Sequence, residues 1–145
     1  MKQHAAKRVI NGTWGTCFID DDATAEVTGM TATLALNKSD VNQCGTLMVG
    51  AKVISAKGTG SLKMNKVTSK MARIMGDAIK RGTFNEVTII SHLADPDAYG
   101  AERVKLTGVL FDDLTIADWE AAKYGEITAN FTFDGYKYIE MIKEV

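Results

Sequence analysis

The chain has 145 residues, 46% of them hydrophobic and 24% charged, with a formal net charge of -1. That is the length of one domain with its own core and the composition of an ordinary globular protein. Near-neutrality excludes a global basic field for nucleic acid or an anionic membrane, and no apolar run reaches bilayer-spanning length.

The N-terminus, Met1 to Arg8, is basic, but no hydrophobic signal-peptide core follows it. Cytoplasmic residence is therefore expected, with an N-terminal arm over residues 1–10. Cys17 and Cys44 lack metal-ligand spacing and are expected as reduced thiols. Sequons at Asn11, Asn37 and Asn130 carry no meaning without secretion. Thr13 to Asp20, rich in β-branched and aromatic residues, predicts a first strand, and Asp20-Asp21-Asp22 a turn. Glu26 to Leu36, alternating Thr with apolar residues, predicts a second.

The strand pattern is then lost from Asn37 to Lys57. This stretch is too apolar for a solvated linker and too interrupted by glycine for a core helix. Long connections without a core of their own are usually functional or disordered. Leu47, Met48, Val49, Val53 and Ile54 argue against disorder, because apolar side chains seek burial. Burial on another copy of the chain is the simplest solution, which makes residues 37–58 an assembly segment. Val41, Leu47, Met48, Val49, Val53, Ile54, Gly58 and Gly60 are the candidate interface residues. Gly58-x-Gly60 lacks the third glycine of a dinucleotide fingerprint and precedes a strand, so it reads as a backbone hinge.

Gly60 to Val67 predicts a strand with Leu62 and Met64 on one face and Ser61, Lys63 and Asn65 on the other. The period then changes. Met71, Ile74, Met75, Ala78 and Ile79 form one stripe of a helix around residues 69–81, capped by Thr68 or Ser69 and stopped at Gly82. Phe84 to Leu93 returns to strand, and Asp95-Pro96-Asp97 breaks it. Arg103 to Phe111 sets Val104, Leu106 and Leu110 against Lys105, Thr107 and Phe111. Residues 114–124 are ambiguous, with a short helical turn allowed at 118–123. Glu126 to Asp134 is the clearest strand, with Ile127, Ala129, Phe131 and Phe133 pointing inward. One domain is expected over 1–145, mainly β: a barrel-like sandwich of about six to eight strands with one packed helix. The tail from 135 to 145 is open between an added strand and an arm.

Chemistry-bearing residues do not gather. His4 and His92 read as surface or rim histidines, and neither cysteine has a histidine close in sequence. Asp20-Asp21-Asp22 lacks the Gly and Glu positions of a calcium loop. Lys63, Lys66 and Lys70 fit a dispersed soluble surface, and Trp14 and Trp119 fit core or interface anchors. No catalytic residue, cofactor or metal is expected, and the chain is not expected to be an enzyme.

The ordered set Ser39-Asp40-Val41, Gly58-Thr59-Gly60-Ser61-Leu62, Val67-Thr68-Ser69-Lys70-Met71, Val104-x-Leu106-x-Gly108-Val109 and Phe131-Thr132-Phe133-Asp134 resembles the tail tube proteins of contractile-tailed phages and PBSX-like prophages. Asn11-Gly12-x-x-Gly15-Thr16 adds to the likeness, which spans most of the chain. The resemblance implies a β-barrel-like sandwich related to the type VI secretion tube protein, with a long loop between its second and third strands. It implies homo-hexameric rings stacked helically into a hollow conduit for DNA during ejection. Implied partners are tail sheath, baseplate and tail terminator proteins, a tape measure protein and transient non-specific DNA in the lumen, with no membrane. The implied location is the virion tail, assembled in the host cytoplasm. Two rival readings are a tube subunit of a bacteriocin or secretion device and a small ligand-binding β-barrel.

Overall fold

Alternation of apolar and polar side chains drives this chain into antiparallel strands that each offer one face to a shared interior. The computed structural model describes residues 3, 5–20 and 22–143. Met1, Lys2 and His4 of the expected arm, Asp21 of the expected turn, and Glu144 and Val145 of the tail lie outside the described residues. After short 3-10 turns at Ala6–Arg8 and Gly12–Trp14 come β1 (Gly15–Ile19), β2 (Asp22–Ala23), β3 (Val27–Val41), β4 (Gly50–Asn65), α1 (Lys70–Arg81), β5 (Val87–Leu93), β6 (Glu102–Phe111), β7 (Glu126–Phe133) and β8 (Gly135–Glu140). The mainly β fold with one packed helix is as expected.

The strands form two leaves that share β6. One leaf runs β2-β1-β5-β6-β8 and the other β6-β7-β4-β3. β6 changes leaf at Gly108, whose φ of 64° lies in the left-handed region that favours glycine and whose missing Cβ leaves room for the Asp134 carboxylate. An extra residue here opposes β5, since Ile89 pairs with Leu106 but Val87 with Val109. The bulge corrects the expected alternation: Val109 is fully buried and Leu110 faces solvent, because the strand's phase slips by one residue at the corner. Residues 135–140 resolve as an added strand on β6.

The interior holds Ile19, Leu62, Ile89, Leu106, Val109, Ala129, Phe131 and Phe133 from the two leaves. α1 closes it by inserting Met71 and Met75, while Ile79 at the end of the expected stripe stays half exposed. Gly82, at φ 70°, stops the helix as expected. The expected side-chain cap does not form. Ser69 has ψ 34°, outside the extended backbone that aims a capping oxygen at the first turn, and only its carbonyl accepts from Arg73 N–H at 3.0 Å. Lys70 donates from Nζ to the buried Thr24 Oγ1 at 3.0 Å, which ties the helix start to the leaf below. Residues 112–125 contain no helix or strand; in place of the helical turn allowed at 118–123 there is a tight turn at 121–122, with Ala122 at φ 61° rather than in helical backbone.

The expected turn at 95–97 is present and has a job. Asp95, buried, accepts Asn11 N–H at 2.8 Å and Asp97 N–H at 2.9 Å, so one carboxylate anchors both the turn and the N-terminal segment. Arg8 lies over the Tyr99 ring at 4.8 Å and donates to Asp97 O, fixing the same segment a second time.

Candidate assembly interface

The segment expected as patternless is mostly strand. β3 continues to Val41, β4 begins at Gly50, and their ladder is interrupted only by register shifts at Val27/Gly29, near its start, and at Asn37/Lys38. Only residues 42–49 are loop. β7 accompanies β4 no further than the Gly58–Phe133 pair, so beyond it β3 and β4 continue as a bare two-stranded ribbon. From Leu34–Gly58 to Val41–Gly50 it projects about 25 Å. Both of its edges are unpaired. Thr31 through Lys57 are all exposed.

Register decides what each ribbon face carries, because cross-strand partners share a face and neighbours alternate. Leu34 and Leu36 lie opposite Gly58 and Ala56 on one face. The ladder steps from Asn37–Ser55 to Lys38–Val53, leaving Ile54 as the extra residue of a bulge. That bulge turns Val53, rather than Lys52, onto the face of Leu34 and Leu36, which also carries Lys38 opposite Val53 and Asp40 opposite Ala51 nearer the tip. The opposite face carries Ala35, Asn37, Ser39, Ser55, Lys57 and Lys52. The apolar face is the direct extension of the one that bears Leu62 and Met30 within the core. The core stripe outruns the core.

At the tip, Gly45 takes φ 85° and Thr46 Oγ1 accepts Met48 N–H at 3.1 Å. Leu47 is 102% exposed, and Met48, Val49 and Ile54 are also largely in solvent. Cys44, at the same tip, is an exposed thiol, whereas Cys17 is buried and its thiol is pushed up to about 11 by that burial, against a small opposing effect of Lys70. Val41 joins the tip group at the last ladder pair.

Gly58 and Gly60 have a different place from the other candidate residues. A Cβ at Gly58 would lie 2.5 Å from the Phe133 ring, and one at Gly60 would lie 2.5 Å from both the Phe131 ring and Thr31 O. The two glycines are flat floor under two core aromatics, not a hinge. Without a Cβ the backbone can approach a ring closely, and the ring covers the backbone in return.

Two features were missed from sequence. Between the leaves, on the side where β3 and β8 are free edges, lies an open slot of about 240 Å³ lined by Ala32, Leu34, Val104, Leu106, Phe133, Tyr136 and Tyr138. Tyr136 and Tyr138 meet edge to face at 6.2 Å. The second is the loop 112–125, where Ile116 and Trp119 are each 86% exposed and Tyr124 is close behind. Glu126, hydrogen bonded to and charged beside Tyr124, raises its phenol above the ordinary value. Trp119 had been noted as an anchor, but its neighbours carry no periodic signal that would have grouped them.

His92 sits beside Arg103, Nδ1 to Nη2 at 3.4 Å, and Arg103 in turn lies over Phe18 and near Glu140. Among the described residues no three His, Cys, Asp or Glu side chains gather as a metal site, and no helix is long and apolar enough to cross a membrane.

A family model described as phage tail tube protein matches residues 2–140. Two proteins of Bacillus subtilis (strain 168) align along nearly the whole length. The uncharacterized protein YqbM is 35% identical over 140 residues, 95% of each chain. The phage-like element PBSX protein XkdM is 34% identical over 141 residues, 96% of each chain. Among solved structures, a chain of the PVC sheath–tube complex of an extracellular contractile injection system, in its extended state, superposes with a TM-score of 0.74. That match covers 94% of this chain and 95% of the other at 8% identity, so the likeness is one of fold.

Proposed function

The chain belongs to the phage tail tube protein family, and from that premise we propose that it is the repeating subunit of a tail tube, in which homo-hexameric rings stack helically into a hollow conduit for DNA. The observation that carries this reading is the ribbon of residues 35–57. It has an apolar face, two unpaired edges and no contact with its own body that buries it. An isolated two-stranded ribbon is marginal in water, and unpaired edges invite other strands. Both deficits are repaired when the ribbon lies on another copy.

Within a ring, the free edges of β3 and β8 let neighbouring sheets join side by side until rotation closes the ring and removes the exposed edges. Between rings the contacts are head to tail and do not close, which generates a filament. Val41, Leu47, Met48, Val49, Val53 and Ile54 are buried in those contacts. Gly58 and Gly60 act indirectly, by holding the ribbon's root flat against Phe133 and Phe131. The role is structural rather than enzymatic.

A near-neutral subunit suits a conduit that DNA must leave, because each lysine–phosphate contact adds affinity through counterion release. Tail sheath, baseplate and tail terminator proteins are the partners outside and at the ends, and a tape measure protein and DNA the transient occupants of the bore. Assembly takes place in the host cytoplasm, with the single domain acting as one rigid brick.

Negative-stain microscopy of the purified protein at rising concentration tests the proposal. Hollow rods or six-fold rings are expected from the natural chain. They are not expected from a variant in which residues 36–56 are replaced by Asn-Gly, a two-residue turn suited to the Ala35–Lys57 pair. A monomer at every concentration, or tubes of normal length from the truncated variant, overturns it.

A further inference from the structure

We propose that the acidic loop at 112–126 is the seat on which the ribbon tip of the next copy in the stack comes to rest. This rests on the tube reading and assigns its missing half, the surface that receives the ribbon. The placement comes from the register. β4 and β7 pair from Gly58–Phe133 at one end to Asn65–Glu126 at the other; the ribbon leaves from the first end, while the loop starts beside Asn130 in mid-sheet and runs to the second, where residues 115–125 lie beside Glu126 to Thr128. In a head-to-tail stack those two ends face each other.

The loop is presented firmly although it has no regular structure. Asp112 N–H donates to Asn130 O of β7 at 2.8 Å, and Lys66 N–H, just past β4, donates to Gly125 O at 2.8 Å, so each end is tied to the neighbouring strand. Between these ties the side chains of Ile116, Trp119 and Tyr124 stand in solvent. Large aromatics so exposed on a fixed loop are the anchor type found at the centre of interfaces. A cleft of about 290 Å³ runs beside them, lined among others by Asp118, Trp119, Glu120 and Tyr124. That is small for a drug-sized ligand but has room for protruding side chains such as Leu47 and Met48.

Charge selects the occupant. Residues 35–57 carry Lys38, Lys52 and Lys57 against Asp40 alone. The loop carries Asp112, Asp113, Asp118, Glu120 and Glu126 against Lys123, which already lies 3.8 Å from Glu120. A greasy, uncharged tip on a ribbon that is net basic along its length, with Lys38, Asp40 and Lys52 just below the tip, and an acidic, aromatic seat at the other end of the molecule are complementary in both respects. Opposite charge also penalises the wrong orientation, because seat against seat repels and the net basic ribbons gain nothing from each other.

A charge swap tests the pairing. D118K/E120K and, separately, K38E/K52E are each expected to reduce tube mass about tenfold or more, and the two sets combined to restore most of it. Unfolding midpoints of the variants should match the natural chain, since all four side chains are exposed. A second measurement does not depend on charge. T115C tubes, treated with a short bis-maleimide, are expected to give a ladder of linked chains through the natural Cys44 of the adjoining copy. The ladder should vanish when C44S is added; Cys17, buried and held protonated, stays out of it. Normal tubes from D118K/E120K with no ladder from T115C overturn the seat, leave the tube reading standing, and assign the loop to a different protein. Absence of tubes from the natural chain overturns both.

Discussion

Gly60 illustrates how much of this fold hangs on a missing methyl group. Its absent Cβ would collide with the Phe131 ring and also with Thr31 O of the neighbouring strand. A ring can tilt, but a carbonyl inside a strand ladder cannot. Gly60→Ala is therefore expected to cost about 1–3 kcal/mol in urea unfolding. Gly58→Ala, which meets only the Phe133 ring, is expected to cost less. Cys17 gives a second prediction at this scale. Burial raises its thiol from 9.0 to about 11, so the folded chain keeps the proton through a range in which the unfolded chain releases it. Stability from this group is complete below about pH 9 and is lost as pH rises toward 11, by on the order of 2 kcal/mol. Urea midpoints at pH 8 and pH 10.5 should diverge more for the natural chain than for Cys17→Ala. The glycine pair also marks where sequence misled. A Gly-x-Gly before a strand reads as freedom, and only the partner strand reveals that two phenyl rings lie on top of it.

Elements with a single exposed and a single buried face were legible in advance. β7 turned Ile127, Ala129, Phe131 and Phe133 inward, and α1 placed Met71 and Met75 on its buried stripe, because period alone sets those faces. β6 was legible only as far as Gly108. A bulge is a relation between two strands, so one strand's pattern does not announce it, and Leu110 and Val109 exchanged places. The ribbon failed for a related reason. Residues 50–57 alternate poorly because a second bulge, at Ile54, resets the phase in mid-strand. What sequence did carry was the mismatch between apolar content and any local means of burial. Since none of residues 31–57 is buried, the truncated variant with Asn-Gly for residues 36–56 should unfold within about 1 kcal/mol of the natural monomer. A larger loss would mean that the ribbon supports its own body.

At the scale of the molecule, the ribbon makes growth expensive to begin. A newcomer gives up its translational and rotational freedom on joining, and one neighbour offers its ribbon only a handful of apolar side chains in return. Several neighbours at once offset that cost, and they exist only at the end of a tube already formed. Turbidity of the concentrated protein should accordingly rise after a lag, and sheared fragments of finished tubes should abolish the lag. An immediate rise without fragments would contradict this.

The ribbon projects from one end of the sheet only, and that asymmetry is inherited by anything built from it. Every filament of such units has a plug end and a socket end, like a string of extension leads. One stopper therefore cannot close both: the piece that starts the column must accept what the piece that finishes it has to supply.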